Sequence, residues 1–122
     1  MKRRTVGYML TLSLPLVLAA FGCNSNNSTN PPATADVVIN IVAENGANSF
    51  SPNPANVTVG QTVSWHNVAG TTHTATQNGG GFNTGNIGNG GTSSPIQMNT
   101  AGDLGYHCSI HPTMVGTLHV TP

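Results

Sequence analysis

The chain has 122 residues, enough for one small domain, and its few charged residues are unevenly distributed. It contains three Lys and Arg residues and three Asp and Glu residues, and all three basic residues lie at positions 2–4. The rest of the chain therefore carries a formal charge of −3 when its histidines are neutral. Because binding to nucleic-acid phosphates requires clustered cations, this composition excludes a nucleic-acid partner.

Residues 1–22 are predicted to be an export signal. The basic start is followed by an apolar run over residues 6–21, which is shorter than the roughly 18–20 residues of a membrane span. Residues 18–23 resemble the processing site of bacterial lipoproteins, in which Cys23 carries the lipid and becomes the first mature residue. Ordinary signal-peptidase cleavage before Cys23 is the alternative. We therefore predict an exported protein in the periplasm or at the cell surface, anchored to a membrane by lipid on Cys23.

Residues 23–35 join the export signal to the remainder of the chain. Between positions 24 and 34 they are Asn, Ser, Thr, Pro and Ala, with no apolar side chain large enough to anchor the segment in a core. This composition predicts a flexible linker that becomes stiffer at its two consecutive prolines.

From residue 36 to residue 122, short β-branched runs alternate with Gly, Asn and Pro, which predicts an all-β sandwich with no helix. Residues 37–42 are predicted to form a strand that is buried on both faces. Residues 78–91 are rich in Gly and Asn and predict a long loop in which only Phe82 and Ile87 pack. Pro95 limits residues 94–98 to an edge strand or a bulge.

The most informative stretch is residues 106–120, in which Cys108, His111 and Met114 follow one another at intervals of three. Thiolate, imidazole and thioether together suit copper better than a harder ion. Strand alternation would send Cys108 and His111 to opposite faces. They can converge only if the chain leaves a strand at Cys108, reverses, and enters the next strand near Met114. Pro112 and Gly116 are expected to punctuate this reversal, and His73, 35 residues upstream, is the best candidate for a further ligand.

The motif Cys108-x-x-His111-x-x-Met114-x-Gly116, preceded by Tyr106 and by Asn67-x5-His73, resembles the small blue-copper proteins. The resemblance is to the cupredoxin family and is closest to its amicyanin and bacterial plastocyanin-like type. It extends over residues 37–121 and implies a Greek-key β-sandwich. It also implies one type 1 copper ion, cycling between Cu(I) and Cu(II), with the following ligands: His73, Cys108, His111 and Met114.

The same resemblance implies two contacts around the ligands. Asn67 would tether the two ligand loops by hydrogen bonds, and the backbone N–H of Thr74 would donate to the Cys108 sulfur. The other three histidines, His66, His107 and His119, are predicted to be exposed strand residues that take no part in metal binding. The alternative interpretation of the two cysteines is that Cys23 and Cys108 form a disulfide.

These residues predict a single-electron carrier of the bacterial cell envelope rather than an enzyme, because they include no catalytic triad and no carboxylate pair. We expect a monomer to which redox donors and acceptors dock transiently near His111. Two other classes stay open: a copper chaperone or storage module, and a zinc-stabilised structural domain that would use His107 with His73, Cys108 and His111. An adhesive surface lipoprotein is a weaker alternative.

Overall fold

The computed structural model describes residues 33–122. The predicted export signal, the lipid-attachment residue Cys23 and residues 24–32 of the predicted linker lie outside the described residues. Among residues 33–122, no helix is long and apolar enough to cross a membrane.

The described part of the chain forms two four-stranded sheets, as the predicted all-β sandwich requires. The strands are β1 (Val37–Ile41), β2 (Phe50–Ser51), β3 (Ala55–Thr58), β4 (Thr62–Asn67), β5 (Thr76–Gln77), β6 (Ile96–Gln97), β7 (Gly102–His107) and β8 (Val115–Thr121). One sheet has the order β2-β1-β4-β6 and the other the order β3-β8-β7-β5. Both sheets are mixed, because β1 pairs with β4 and β3 with β8 in parallel, whereas the other pairs are antiparallel. Among the described residues, the helical content is one 3-10 turn at Gly46–Asn48.

Two predictions about the segments between β5 and β7 are confirmed. Residues 78–91 form a long loop with only isolated bridges, and its apolar residues Phe82 and Ile87 are buried. Strand β6 follows Pro95 directly and lies at the edge of its sheet. A proline is tolerated there because an edge position does not need every backbone donor.

The prediction that the first strand is buried on both faces is wrong. In β1, Ile39 and Ile41 are fully buried, but Val38 is 48% exposed and Val42, just beyond the strand, is 41% exposed. Successive side chains of a strand point to opposite faces, and only one face of each sheet packs against the other sheet. Valine on the outer face of β1 therefore stays in contact with solvent.

Aromatic side chains fill the space between the sheets. The ring of Tyr106 lies 4.8 Å from that of Phe50 and 5.5 Å from that of Trp65, both edge-on, and Trp65 also lies 5.3 Å from Phe82. Burial raises the pKa of Tyr106 to about 12. Within residues 33–122, neither the Tyr106 hydroxyl nor the Trp65 indole N–H has a hydrogen-bond partner, so packing rather than polar contact holds these rings.

Gly116 does not belong to the chain reversal, contrary to prediction. It is the second residue of β8 and lies directly opposite Tyr106 of β7. A Cβ atom at position 116 would lie only 2.3 Å from Cζ of the tyrosine ring. The position therefore requires glycine because the Tyr106 ring packs against its backbone, and this contact fixes β7 against β8 beside the loop that joins them.

Candidate metal centre

The loop between β7 and β8 is a tight turn. Strand β7 ends at His107 and β8 begins at Val115, so the chain leaves one strand at Cys108 and enters the next just after Met114, as predicted. The backbone N–H of Cys108 donates to the Met114 carbonyl at 3.1 Å, and the N–H of Met114 donates to the His111 carbonyl at 3.0 Å. This turn brings Cys108 and His111 to the same end of the sandwich.

His73 reaches the same place from the loop that follows β4. Its backbone exchanges hydrogen bonds with Ile87, donating at 3.1 Å and accepting at 2.8 Å. Asn67, the last residue of β4, fixes the approach: its side-chain amide donates to the carbonyls of Thr71 at 2.7 Å and Ile87 at 2.8 Å. Its side-chain oxygen accepts the N–H of Ala69 at 3.0 Å. These bonds hold the chain between Asn67 and His73 in one conformation and leave the His73 side chain fully buried.

The two ligand-bearing segments are joined by Thr74 and not by Asn67, whose side-chain bonds in the described part of the chain all lie on the His73 side. The Thr74 hydroxyl accepts the backbone N–H of Ser109 at 2.8 Å and lies 2.9 Å from the Ser109 hydroxyl. The backbone N–H of Thr74 donates to Sγ of Cys108 at 3.3 Å, the contact that the resemblance implies. The expected tether therefore exists, but the residue that forms it is different because Asn67 is turned toward Ile87.

Three donor atoms converge at this end of the sandwich. Sγ of Cys108 lies 3.8 Å from Nδ1 of His73 and 3.9 Å from Nδ1 of His111, and the two nitrogens are 3.1 Å apart. From these three distances, the point equidistant from the three atoms lies about 2.1 Å from each of them. That value falls within the roughly 2.0–2.3 Å that imidazole and thiolate ligands keep from a first-row metal ion such as zinc. The cluster therefore fits one metal ion, and two imidazoles with a thiolate in one plane suit copper.

The fourth predicted ligand, Met114, is the last residue of the loop that contains Cys108 and His111. Its side chain is fully buried, and its backbone closes the turn that contains Cys108 and His111. Its role as a weak axial ligand remains a prediction. In the described part of the chain Cys108 is a fully buried free thiol, and Cys23, its partner in the alternative disulfide, lies outside the described residues.

The surroundings of His73 favour the neutral form of its imidazole. Burial and the nearby His111 lower the pKa of His73, and Glu44 opposes that shift in part. A neutral imidazole is the form that binds a metal ion. Glu44 lies close to His111, with Oε1 3.4 Å from Nε2.

Three residues near the site were not predicted: Glu44, Thr71 and Ser109. They come from three separate segments, and no local spacing in the sequence connects them. The one available signal was that Glu44 is one of only three acidic residues in a chain that has no Lys or Arg after position 4.

The remaining histidines stay outside the cluster, as predicted. Nδ1 of His66 lies 2.8 Å from the Thr92 hydroxyl, and Nδ1 of His107 lies 2.6 Å from the side-chain oxygen of Asn78. His119 pairs with Asp103 on the surface. His119 is exposed and the other two are half-buried, so only one of the three is as exposed as expected.

Comparison with solved structures identifies the fold. The chain is similar to a purple cupredoxin from Nitrosopumilus maritimus, with 26% sequence identity and a TM-score of 0.62 over 70% of this chain and 100% of that one. It is also similar to the reduced Cu(I) form of the P52G variant of amicyanin, with 24% identity and a TM-score of 0.59 over 72% of this chain and 84% of that one. The Cu(I) form of the M98A variant of amicyanin gives 25% identity and a TM-score of 0.57 over 71% and 85%. No protein-family model and no curated protein matches the chain.

Proposed function

Because the described domain has the cupredoxin fold and its His-Cys-His cluster can hold one copper ion, we propose that the chain is a type 1 blue-copper protein that carries single electrons in the bacterial cell envelope. The observation that carries this proposal is the convergence of Sγ of Cys108 with Nδ1 of His73 and Nδ1 of His111 around one point. Met114 would supply the weak axial ligand.

The protein's contribution to such a role is to keep its ligands still. When bound, copper would supply the one-electron Cu(I)/Cu(II) couple. Cys108 and His111 are held by a tight turn between two strands, and His73 by paired backbone bonds to Ile87. Thr74 ties the two segments together and directs a backbone N–H at the Cys108 sulfur. Ligands constrained in this way change position little between oxidation states, so little reorganisation opposes electron transfer.

An electron carrier must also keep its metal, which separates this proposal from the alternative of a copper chaperone or storage module. The burial of Cys108, His73 and Met114 supports retention, because a ligand from an exchange partner would have to displace buried donors. We expect the copper-loaded protein to undergo repeated one-electron reduction and reoxidation with its copper content unchanged. Quantitative copper transfer to a metal-free acceptor of similar affinity within the mixing time would instead favour the chaperone.

The zinc-stabilised structural domain is disfavoured by the same geometry. Its proposed fourth ligand, His107, is bonded to Asn78 and is not part of the cluster. Within residues 33–122 the cluster therefore provides three strong donors, whereas structural zinc sites use four.

Electrons would enter and leave near His111, whose side chain is 31% exposed. Beside it, Ile110 is 46% exposed, and Pro112 and Thr113 are exposed at the tip of the loop. We propose that the protein is a monomer and that redox partners dock transiently on this small apolar surface, since weak redox complexes use small interfaces. With no Lys or Arg after position 4, the chain offers little long-range steering.

Stopped-flow electron transfer with the partner tests the docking surface. Pro112→Asp should slow the reaction. The control is Asn99→Asp, which adds the same charge just before β7 begins, at the end of the strand away from the ligand loop, and should leave the rate unchanged. The wild-type rate should change little between low and high ionic strength. A steep decline with salt would show that docking depends on Glu44 or Asp103 and would refute apolar docking.

The envelope location and the lipid anchor on Cys23 are part of the proposal and rest on the sequence of residues 1–23. Stable attachment needs more than one acyl chain, which bacterial lipoprotein processing supplies. The intact mass of the membrane-extracted protein tests it. A mature mass that begins at unmodified Cys23, or a wild-type protein found wholly in the soluble fraction, would rule out the anchor.

A further inference from the structure

One carboxylate oxygen, Oε1 of Glu44, connects the outer nitrogens, Nε2, of the two histidines in the cluster. Oε1 of Glu44 lies 3.4 Å from Nε2 of His111 and accepts a hydrogen bond from the Thr71 hydroxyl at 3.1 Å. The same Thr71 oxygen lies 3.1 Å from Nε2 of His73. Glu44 therefore contacts one imidazole directly and the other through a single hydroxyl group.

The tautomers of the two histidines follow from which nitrogens face the cluster. In both rings Nδ1 points toward Sγ of Cys108, so Nδ1 must be the unprotonated nitrogen if a metal is to bind there. The proton of each neutral ring then lies on Nε2. The Nε2 atom of His111 lies 3.4 Å from the Glu44 carboxylate, and His73 donates to Thr71, which in turn donates to the same carboxylate.

Neither Glu44 nor Thr71 has a packing role that would explain its position. The side chain of Glu44 is 45% exposed and Thr71 is also exposed. Because the sequence has no Lys or Arg after position 4, no basic side chain of the domain competes for the Glu44 carboxylate. The groups that it contacts are the outer nitrogen of His111 and the hydroxyl group of Thr71.

We propose that Glu44 is a positioning residue that holds both imidazole ligands in their metal-binding tautomer and lowers the reduction potential of the bound copper. The proposal rests on the copper-binding role proposed above. A carboxylate bonded to the outer nitrogen of a metal-bound histidine fixes the ring and makes it a stronger ligand. With one thiolate and two neutral imidazoles, the oxidised site carries one more positive charge than the reduced site, so a nearby negative charge stabilises the oxidised form more.

The test compares Glu44→Gln with Asp103→Asn in the copper-loaded protein. Both variants remove one negative charge, but Asp103 pairs with His119 at an exposed position outside the cluster. Removal of such a carboxylate partner typically weakens metal binding 10- to 100-fold. If Glu44→Gln weakens Cu(II) binding about tenfold more than Cu(I) binding, the potential rises by about 59 mV. Asp103→Asn should shift the potential by much less than this.

Two further variants separate positioning from simple charge. Thr71→Val breaks only the branch to His73 and should raise the potential by less than Glu44→Gln does. Glu44→Asp keeps the charge and should restore part of the lost Cu(II) affinity. Thermal unfolding of the copper-free variants checks the fold, and because Glu44 and Thr71 are both exposed, we expect melting temperatures close to that of the wild type.

The outcomes distinguish this inference from the function on which it rests. A blue wild-type protein whose potential and Cu(II) affinity are the same in Glu44→Gln as in Asp103→Asn would overturn the role of Glu44 and leave the copper site intact. A wild-type protein that forms no blue copper complex would overturn both. A rise in potential specific to Glu44→Gln, with a smaller rise in Thr71→Val, is the result that the geometry predicts.

Discussion

Replacement of Thr74 by valine tests how the two ligand segments are held together. Valine has nearly the same shape but no hydroxyl group, so the change removes the acceptor of the Ser109 N–H at 2.8 Å and the contact with the Ser109 hydroxyl at 2.9 Å. The backbone bond from Thr74 to the Cys108 sulfur stays possible. The variant therefore removes the tether together with the longer contact of 4.0 Å between the Thr74 hydroxyl and this sulfur, and it keeps the backbone bond.

The size of the effect follows from the surroundings of Ser109. A buried donor left without a partner costs about 1–3 kcal/mol, and because Ser109 is exposed, water can replace part of the lost bond. We expect a loss of about 1 kcal/mol, which corresponds to about 4–8 °C in the melting temperature of a copper-free domain of this size. Loosening the Cys108 segment should also weaken copper binding by about tenfold.

Thermal unfolding of the copper-free protein and a copper competition assay measure these two effects. The matched control is Thr76→Val, because the Thr76 hydroxyl contacts Thr74 at 3.2 Å but has no contact with Ser109 or Cys108. Thr76→Val should change stability and affinity much less. If the two variants are equal in both measurements, the Thr74–Ser109 bond is not what joins the ligand segments, and the reasoning is wrong.

Three further results are expected. Met114→Leu should retain copper but shift its potential, because an axial thioether bond is weak, and loss of the metal in an equilibrium titration would contradict this. Gly116→Ala should destabilise the domain by about 3 kcal/mol in urea unfolding, because the new Cβ would overlap the Tyr106 ring, whereas Gly88→Ala, where a Cβ meets open space, should cost less than 1 kcal/mol. The pKa of His73 is lowered in the folded protein, so below about pH 6.5 the unfolded chain binds a proton more readily than the folded chain does. As the pH decreases below this value, the free energy of unfolding of the copper-free domain should therefore fall less steeply in His73→Gln than in the wild type, as measured by urea unfolding at several pH values.

The ligand loop was predictable because its geometry is local. The intervals between Cys108, His111 and Met114 exclude a continuous strand, and the structure has the chain reversal that they require. His73 was predicted from the family resemblance together with its distance along the chain. The structure brings its Nδ1 to 3.8 Å from the sulfur of Cys108.

Features that depend on distant segments were predicted less well. Glycine in a turn and glycine under an aromatic ring look alike in sequence, and only the pairing of Gly116 with Tyr106 across two strands distinguishes them. The apolar residues of β1 predicted burial on both faces, but valine is tolerated on a solvent-facing strand surface, as Val38 shows. The contact of Glu44 with the histidines requires three loops to meet, which no local pattern records.

Copper titration of the metal-free wild type and of Cys108→Ser tests the central claim most directly. The variant removes the sulfur donor and leaves both imidazoles in place. We predict that the wild type binds one Cu(II) ion per chain and becomes intensely blue, whereas the variant lacks the blue absorption even where it still binds copper. Equal Cu(II) spectra for the two proteins would contradict the assignment of a type 1 copper site to this cluster.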